Sequence, residues 1–168
     1  MSVPPSADTV TVYRIATEAP AYGANDLRGI GSQTTGGRWN PVGVPVVYAS
    51  TTRALACLET VVHLEYRSPL PLNRFLVELT VPRHAWDERT VFDPAAIGGW
   101  DAEPAGIASI GWGARWLSDG TTLLADVPSI LVPEERNVLL NPAHPDMVAV
   151  TARTMRRWRY DDRLRPLG

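Results

Sequence analysis

The stretch VVYASTTRALACLET, residues 46–60, carries both periodicities on which the fold turns. Pro45 to Ala49 is β-branched and aromatic, the composition of a pleated, half-buried strand. Ser50 or Thr51 then offers a side-chain oxygen suited to the orphan N–H groups that open a helix. From about Thr52 to Glu65 the residues Ala54, Leu55, Leu58, Val61 and Val62 recur at helical spacing as one apolar arc. Glu59 lies at the edge of that arc, where a carboxylate needs a partner or a task.

Upstream, Val10 to Ile15 alternates as a short strand, and Ala19 to Pro41 is rich in Gly, Ser, Thr and Asn, with Gly36-Gly37 before Arg38-Trp39-Asn40. An Arg and a Trp inside so long a loop point to an ordered segment that contacts a ligand. Downstream, Arg74 to Val81 predicts a strand. After a connection bearing Pro and Asp, Ala105 to Leu117 predicts a helix with Ile107, Ile110, Ala114 and Leu117 on one face, stopped at Asp119-Gly120. Thr121 to Leu124, Ser129 to Val132 and Val138 to Leu140 read as short strands, and Val148 to Trp158 as a long alternating one. Many strands, two or three helices and no repeat or linker predict an α+β chain with a mostly antiparallel sheet. The expected organisation is one domain over 1–168, with an N-terminal arm at 1–9 and the globular part at 10–168.

Composition removes whole classes of chemistry. The chain has 168 residues, 45% of them hydrophobic, enough for one domain that buries roughly 70% of its unfolded surface. All 16 basic side chains are Arg, which excludes Schiff-base lysines and lysine-containing phosphate loops. His63, His84 and His144 form no spaced pair, so no metal site is expected, and neither GxSxG nor GxGxxG occurs. One cysteine permits no disulfide and fits a reducing compartment. No apolar run approaches the ~20 residues of a membrane span, and the start has no signal-like pattern, so a cytoplasmic address without membrane contact is expected. A net charge of −2 leaves no footprint for nucleic acid. The C-terminal run Arg153, Arg156, Arg157, Arg159, Arg163 and Arg165 is diluted by Asp161 and Asp162 and reads as a solvated strand and tail, with a partner or phosphate contact as the alternative.

Arg14, Arg38, Tyr48, Glu59 and Ser129 stand out as polar groups in strands, in a Gly-rich loop or on an apolar helix face, and each taken singly also has an ordinary structural reading. Their order is more specific. Tyr13-Arg14-Ile15, Gly36-Gly37-Arg38-Trp39-Asn40, Val47-Tyr48-Ala49-Ser50 leading into Ala54 to Glu59, Val127-Pro128-Ser129, and the run Asn137 to Pro145 follow one another from about Val12 to Leu164. In this order the sequence resembles the RES domain, a family of bacterial toxins named after an Arg, a Glu and a Ser. The resemblance implies a fold like that of ADP-ribosyltransferase toxins, consumption of NAD as substrate with no bound cofactor, and an Xre-type helix-turn-helix antitoxin as partner, and it leaves room for a homodimer. By motif position the family's Arg, Glu and Ser fall on Arg14, Glu59 and Ser129. Arg38, Tyr48, Ser50 and Asn137 match as substrate-binding candidates.

The residue types suit that chemistry. Cleaving nicotinamide from NAD expels a neutral amine from an already cationic ring, so no general acid is needed, unlike a sugar leaving group. One carboxylate beside the ribose, the role given to Glu59, stabilises an oxocarbenium-like transition state or anchors a hydroxyl. Arg14 and Arg38 offer guanidinium forks to the pyrophosphate, Tyr48 a flat face to the nicotinamide, and Ser129 a hydrogen bond that orients Glu59. The expectation is a toxin that degrades NAD with water or phosphate as acceptor. The alternatives are ADP-ribosyl transfer to a protein and a catalytically silent nucleotide-binding module.

Overall fold

The computed structural model describes residues 7–65 and 67–165, so most of the N-terminal arm expected at 1–9 lies outside the described residues. Its strands are β1 (Thr9–Thr17), β2 (Val47–Ser50), β3 (Arg74–Pro82), β4 (Thr90–Val91), β5 (Leu124–Pro128), β6 (Arg136–Leu140) and β7 (Thr151–Arg157). They form one sheet in the order β4-β5-β6-β2-β1-β3-β7, antiparallel throughout except where β4 runs parallel to β5. The helices are α1 (Ile30–Thr35), α2 (Arg53–Val61), α3 (Arg83–Asp87) and α4 (Ile107–Asp119). The expected α+β architecture with a mostly antiparallel sheet is present, and no described helix is long and apolar enough to cross a membrane.

Several boundaries differ from the sequence reading, each for a local reason. Thr52, not Ser50 or Thr51, caps α2, its hydroxyl accepting from Leu55 N at 3.1 Å. Ser50 is still strand, paired with Asn137 of β6 and Tyr13 of β1. The helix stops at Val61 rather than Glu65, because His63 N and Leu64 N bond back only three residues, to Thr60 O and Val61 O. Its buried positions are Leu55 and Ala56, whereas Leu58 and Val62 are 37% and 51% exposed. The apolar arc is therefore rotated, and Glu59, one turn beyond Leu55, belongs to the stripe that faces the sheet.

The strands expected at 121–124 and 129–132 are a single strand between them, β5. Every residue of it is buried, so it shows no alternation to read. Ser129 ends it, its hydroxyl oxygen accepting from Leu131 N and Val132 N. The loop at 19–41 contains α1, the connection after β3 contains α3 and β4, and the last strand starts only after a 3-10 turn at Pro145–Ala149. Helix α4 runs two residues past the expected end at Leu117, and Gly120 closes it in the left-handed conformation at φ 60°.

One rung of the ladder crosses nearly the whole sheet: Val127, Asn137, Ser50, Tyr13, Glu78 and Arg153 lie opposite one another on successive strands. Residues so paired share a face, and α2 packs on that face through Ala56, Cys57 and Val61 against Tyr13, Ile15 and Leu76. A second cluster joins Val12, Ala16, Val77 and Leu79 on the opposite face. A third seats the loop before β2 on α4, with the rings of Phe92, Trp100 and Trp112 around Trp39.

Two stability measurements follow. At Gly113 of α4 an added Cβ would stand 1.8 Å from Trp39 O, backbone that cannot swing aside. Gly113→Ala should therefore destabilise by about 2–3 kcal/mol or more, read as a lowered melting temperature, and an unchanged one would refute this seating of α4. Burial works to raise the pKa of Glu78, but hydrogen bonds from Arg53 (2.9 Å) and Arg153 (3.0 Å) outweigh it and hold the carboxyl below its ordinary value. A lowered folded-state pKa gives stability that is present above the unfolded value of about 4.3 and lost as pH falls through the folded one. Glu78→Gln should cost about 1–2 kcal/mol at neutral pH, discounted for the half-exposed arginines, and should flatten the acid side of a plot of melting temperature against pH.

Candidate functional site

Glu59 is brought to the sheet by the turn of α2 that follows Leu55, and it meets the rung at Ser50 and Asn137. Its Oε1 accepts two hydrogen bonds, from Ser129 Oγ and from Asn137 Nδ2, both 2.6 Å. Ser50 Oγ donates in turn to Asn137 Oδ1 at 2.7 Å. Ser129 is fully buried, and its oxygen also accepts the two backbone N–H groups that turn the chain after β5. Four of the seven sequence-predicted residues, Ser50, Glu59, Ser129 and Asn137, thus form one connected network drawn from α2, β2, β6 and the end of β5. The hydrogen bond from Ser129 that the residue types suggested is present.

The other three stand apart from it. Arg14 shares a strand with Tyr13 but projects from the opposite face, with Val12 and Ala16. It is half-buried, and its guanidinium makes no hydrogen bond or ion pair with the described residues. Burial lowers its pKa, while the charge of Asp26 and the phenol of Tyr22 pull it back up. Asp26 itself is taken by Arg28, through Nε at 2.7 Å. A cation desolvated without a partner is poised for an anion.

Arg38 has the opposite character. Its NH1 donates to Trp100 O (3.1 Å) and Ala102 O (2.8 Å), and its NH2 to Glu103 Oε2 (2.7 Å), so its fork is filled by the protein itself. Tyr48 is also engaged: its hydroxyl accepts from Trp39 N at 3.1 Å and donates to Asn40 Oδ1 at 2.6 Å. Burial raises the pKa of that phenol and keeps it neutral. Between Arg14 and Arg38, the arginine whose fork is open is Arg14.

The sequence reading quoted Asn40 only as part of a motif, yet it is the knot of the loop. It is almost fully buried, and its Nδ2 donates to Ser32 O (2.9 Å) and Val44 O (2.8 Å). An amide side chain after Gly-Gly-Arg-Trp was the available signal, because Asn serves its neighbours' backbone when a loop folds tightly. Tyr13 was likewise passed over: Arg53 of α2 lies 4.4 Å above its ring and bonds Glu78. Among the described residues no group of His, Cys, Asp and Glu could hold a metal. A shallow, apolar concavity of about 410 Å³ beside Leu27, Pro142 and Met147 contains none of the candidate residues.

The chemistry available is that of one fixed carboxylate with a free oxygen, and one unpaired guanidinium, near the place where β1 and β2 part. Those strands pair with each other only at Tyr13 and Ser50; Arg14 to Thr17 and Val47 to Ala49 keep their ladders to β3 and β6 on the other edges and have no pairing with one another.

This geometry can be set beside known proteins. The chain is 54% identical over 157 residues to the Prs ADP-ribosylating toxin of a Sphingobium species, covering 93% of this chain and 97% of the relative. It is 38% identical over 121 residues to Toxin Res of Pseudomonas putida, covering 71% and 80%. Its fold resembles a chain in the crystal structure of the M. tuberculosis MbcT–MbcA toxin–antitoxin complex, with a TM-score of 0.54 at 17% identity over 87% of this chain and 82% of that one. The family model of the RES domain matches residues 11–162, so the chain with this Glu59 network and this open arginine belongs to the RES domain family.

Proposed function

We propose that this protein is a toxin that breaks the nicotinamide–ribose bond of NAD and passes the ADP-ribosyl group to an acceptor on another protein. The observation that carries the choice of acceptor is the 54% identity, over nearly the full length of both chains, to a relative named as ADP-ribosylating. In the reaction the bond between ribose C1′ and the pyridinium nitrogen breaks, and its electron pair neutralises the nitrogen, so nicotinamide leaves without a proton. The acceptor's lone pair then forms the new bond to C1′ and the acceptor loses a proton. Glu59 supports this step as a negative charge beside the oxocarbenium-like centre. Its position is supported by the donors on Oε1. Arg14 is assigned to the pyrophosphate because its fork is open, whereas Arg38 serves the loop. The dinucleotide would lie across the gap between β1 and β2, its ribose toward Glu59 and its phosphates toward Arg14.

Release of ADP-ribose to water or phosphate shares the same bond cleavage and differs only in what reaches C1′. A protein antitoxin that covers the gap completes the reading. The fold neighbour was crystallised in a toxin–antitoxin complex, and the sequence resemblance implies an Xre-type partner. Co-purification with such a partner should abolish nicotinamide release, and full activity in a stable complex would remove the blocking role.

Expression of the chain alone in a bacterium should arrest growth, and labelled NAD should leave label on a protein band. Loss of NAD with free ADP-ribose or its phosphate and no labelled protein would replace transfer by degradation, and no effect on either would favour a silent binding module. In the purified protein, Glu59→Gln should lower turnover by about a hundredfold or more with little change in NAD binding; near-normal activity in a folded variant would sink the mechanism. Arg14→Ala should raise KM for NAD about ten- to a hundredfold, the range of one charge-assisted pair, at an unchanged fold. Arg38→Ala should instead lower the melting temperature and disturb KM less, and the reverse ranking would reassign the phosphate to Arg38.

A further inference from the structure

Ser50 and Asn137 match the family pattern as contacts to substrate, but their hydrogen bonds point inward. We infer that Asn137, aimed by Ser50, is a positioning residue that fixes the Glu59 carboxylate, and that neither residue holds the substrate. The inference rests on the reaction proposed above.

Three observations carry it. First, each end of the Asn137 amide is already engaged, Nδ2 by Glu59 Oε1 at 2.6 Å and Oδ1 by Ser50 Oγ at 2.7 Å. An ionised carboxylate only accepts, so the amide must present its NH2 to Glu59. In the flipped amide Oδ1 would face Glu59 Oε1, two oxygens with no hydrogen between them, so Glu59 sets the orientation and the Ser50 hydroxyl, donating to Oδ1, holds the far end of the amide in place. Second, Ser50 and Asn137 are register partners on adjacent strands, and Ser50 is only 3% exposed. The backbone ladder therefore sets their separation, and Ser50 has little surface to offer a ligand. Third, both donors fall on one oxygen. Oε1 takes Ser129 and Asn137, while Oε2 has no hydrogen bond among the described residues.

The two oxygens of Glu59 are thereby made different. Oε1 is an anchor, held from β6 by Asn137 and from the end of β5 by Ser129, so the carboxylate cannot rotate about its last torsion without losing both. Oε2 is left as the face of the negative charge turned to the reacting ribose. A charge fixed before the reaction needs no reorientation as the cation develops, which lowers the barrier without strengthening ground-state binding. Removing an anchor should then reduce kcat and leave KM alone, whereas removing a substrate contact should raise KM.

The test is nicotinamide release from NAD by the purified full chain, with dialysed bacterial lysate protein present as acceptor and the release by lysate alone subtracted, measured as kcat and KM for wild type, Asn137→Ala, Ser50→Ala, Ser50→Thr and the Ser50→Ala/Asn137→Ala double variant. The expected result is a fall in kcat of about 10- to 100-fold for Asn137→Ala and about 3- to 10-fold for Ser50→Ala, each with KM within about twofold of wild type. Ser50→Thr keeps the hydroxyl and should recover most of the rate. The double variant should be no slower than Asn137→Ala, because Ser50 acts only through Asn137. A raised KM with kcat retained, additive losses in the double variant, or a folded Asn137→Ala with normal kcat would each overturn the inference while leaving the reaction intact. Should Asn137→Ala fail to fold, the contrast between Ser50→Ala and Ser50→Thr decides alone. A wild-type protein that releases no nicotinamide overturns the reaction reading and this inference with it.

Discussion

The two halves of the sheet are joined by a single residue pair, Tyr13 opposite Ser50. On one side of it lie β1, β3 and β7, tied by long antiparallel ladders; on the other lie β2, β6, β5 and β4. The Glu59 network and the Arg53–Glu78 pair both meet at that junction. Ser50 carries the amide that holds Glu59, and Tyr13 carries the ring under Arg53. Helix α2 spans the seam, its capped start bonded through Arg53 to Glu78 of one half and its later turn through Glu59 to Asn137 of the other. A short junction has a chemical use: beyond one pair the strands leave each other, and Arg14 stands at the margin of the opening instead of inside a continuous sheet.

The loop that bridges the same opening is rigid for reasons of geometry. Gly29 takes φ 69°, and a Cβ there would lie 2.9 Å from Val46 N. Ser32 Oγ accepts from Val46 N and donates to Gly29 O. Asn40 then ties Ser32 of α1 to Val44, and Tyr48 ties Asn40 and Trp39 back to β2. Arg38 extends this framework to the segment at 100–103. The Gly-Gly-Arg-Trp-Asn motif is thus a folding motif first: two glycines permit the approach, and Arg, Trp and Asn each close a separate contact of the loop with the body.

Much of this was legible in the sequence. The alternation of β1, the strand at β3, the stop at Gly120 and the presence of a carboxylate at the edge of an apolar helix face all reflect local rules that the fold obeys. What was hidden depended on tertiary cover. Strand β5 shows no period because both its faces are buried, and the true stripe of α2 could not be told from the exposed Leu58 and Val62 without the sheet beneath it. The site shows the same division. Glu59 and Ser129 could be paired from their residue types, while the difference between Arg14 and Arg38 could not, because it depends on whether carbonyls distant in sequence fill the fork. Trp100 O and Ala102 O do so for Arg38.

The order of strands also bears on which borders of the sheet another strand could extend. A sheet with two ends exposes two rows of backbone groups that a foreign strand could extend. Here one end is β4, only two residues long, too short to template a neighbour. The other is β7, which carries Arg153, Arg156 and Arg157, the last two lying over the rings of Trp158 and Phe75. A strand approaching that border would have to desolvate several guanidinium groups before gaining its first ladder bond. The arginines of β7 thereby raise the cost of extending the sheet at that border.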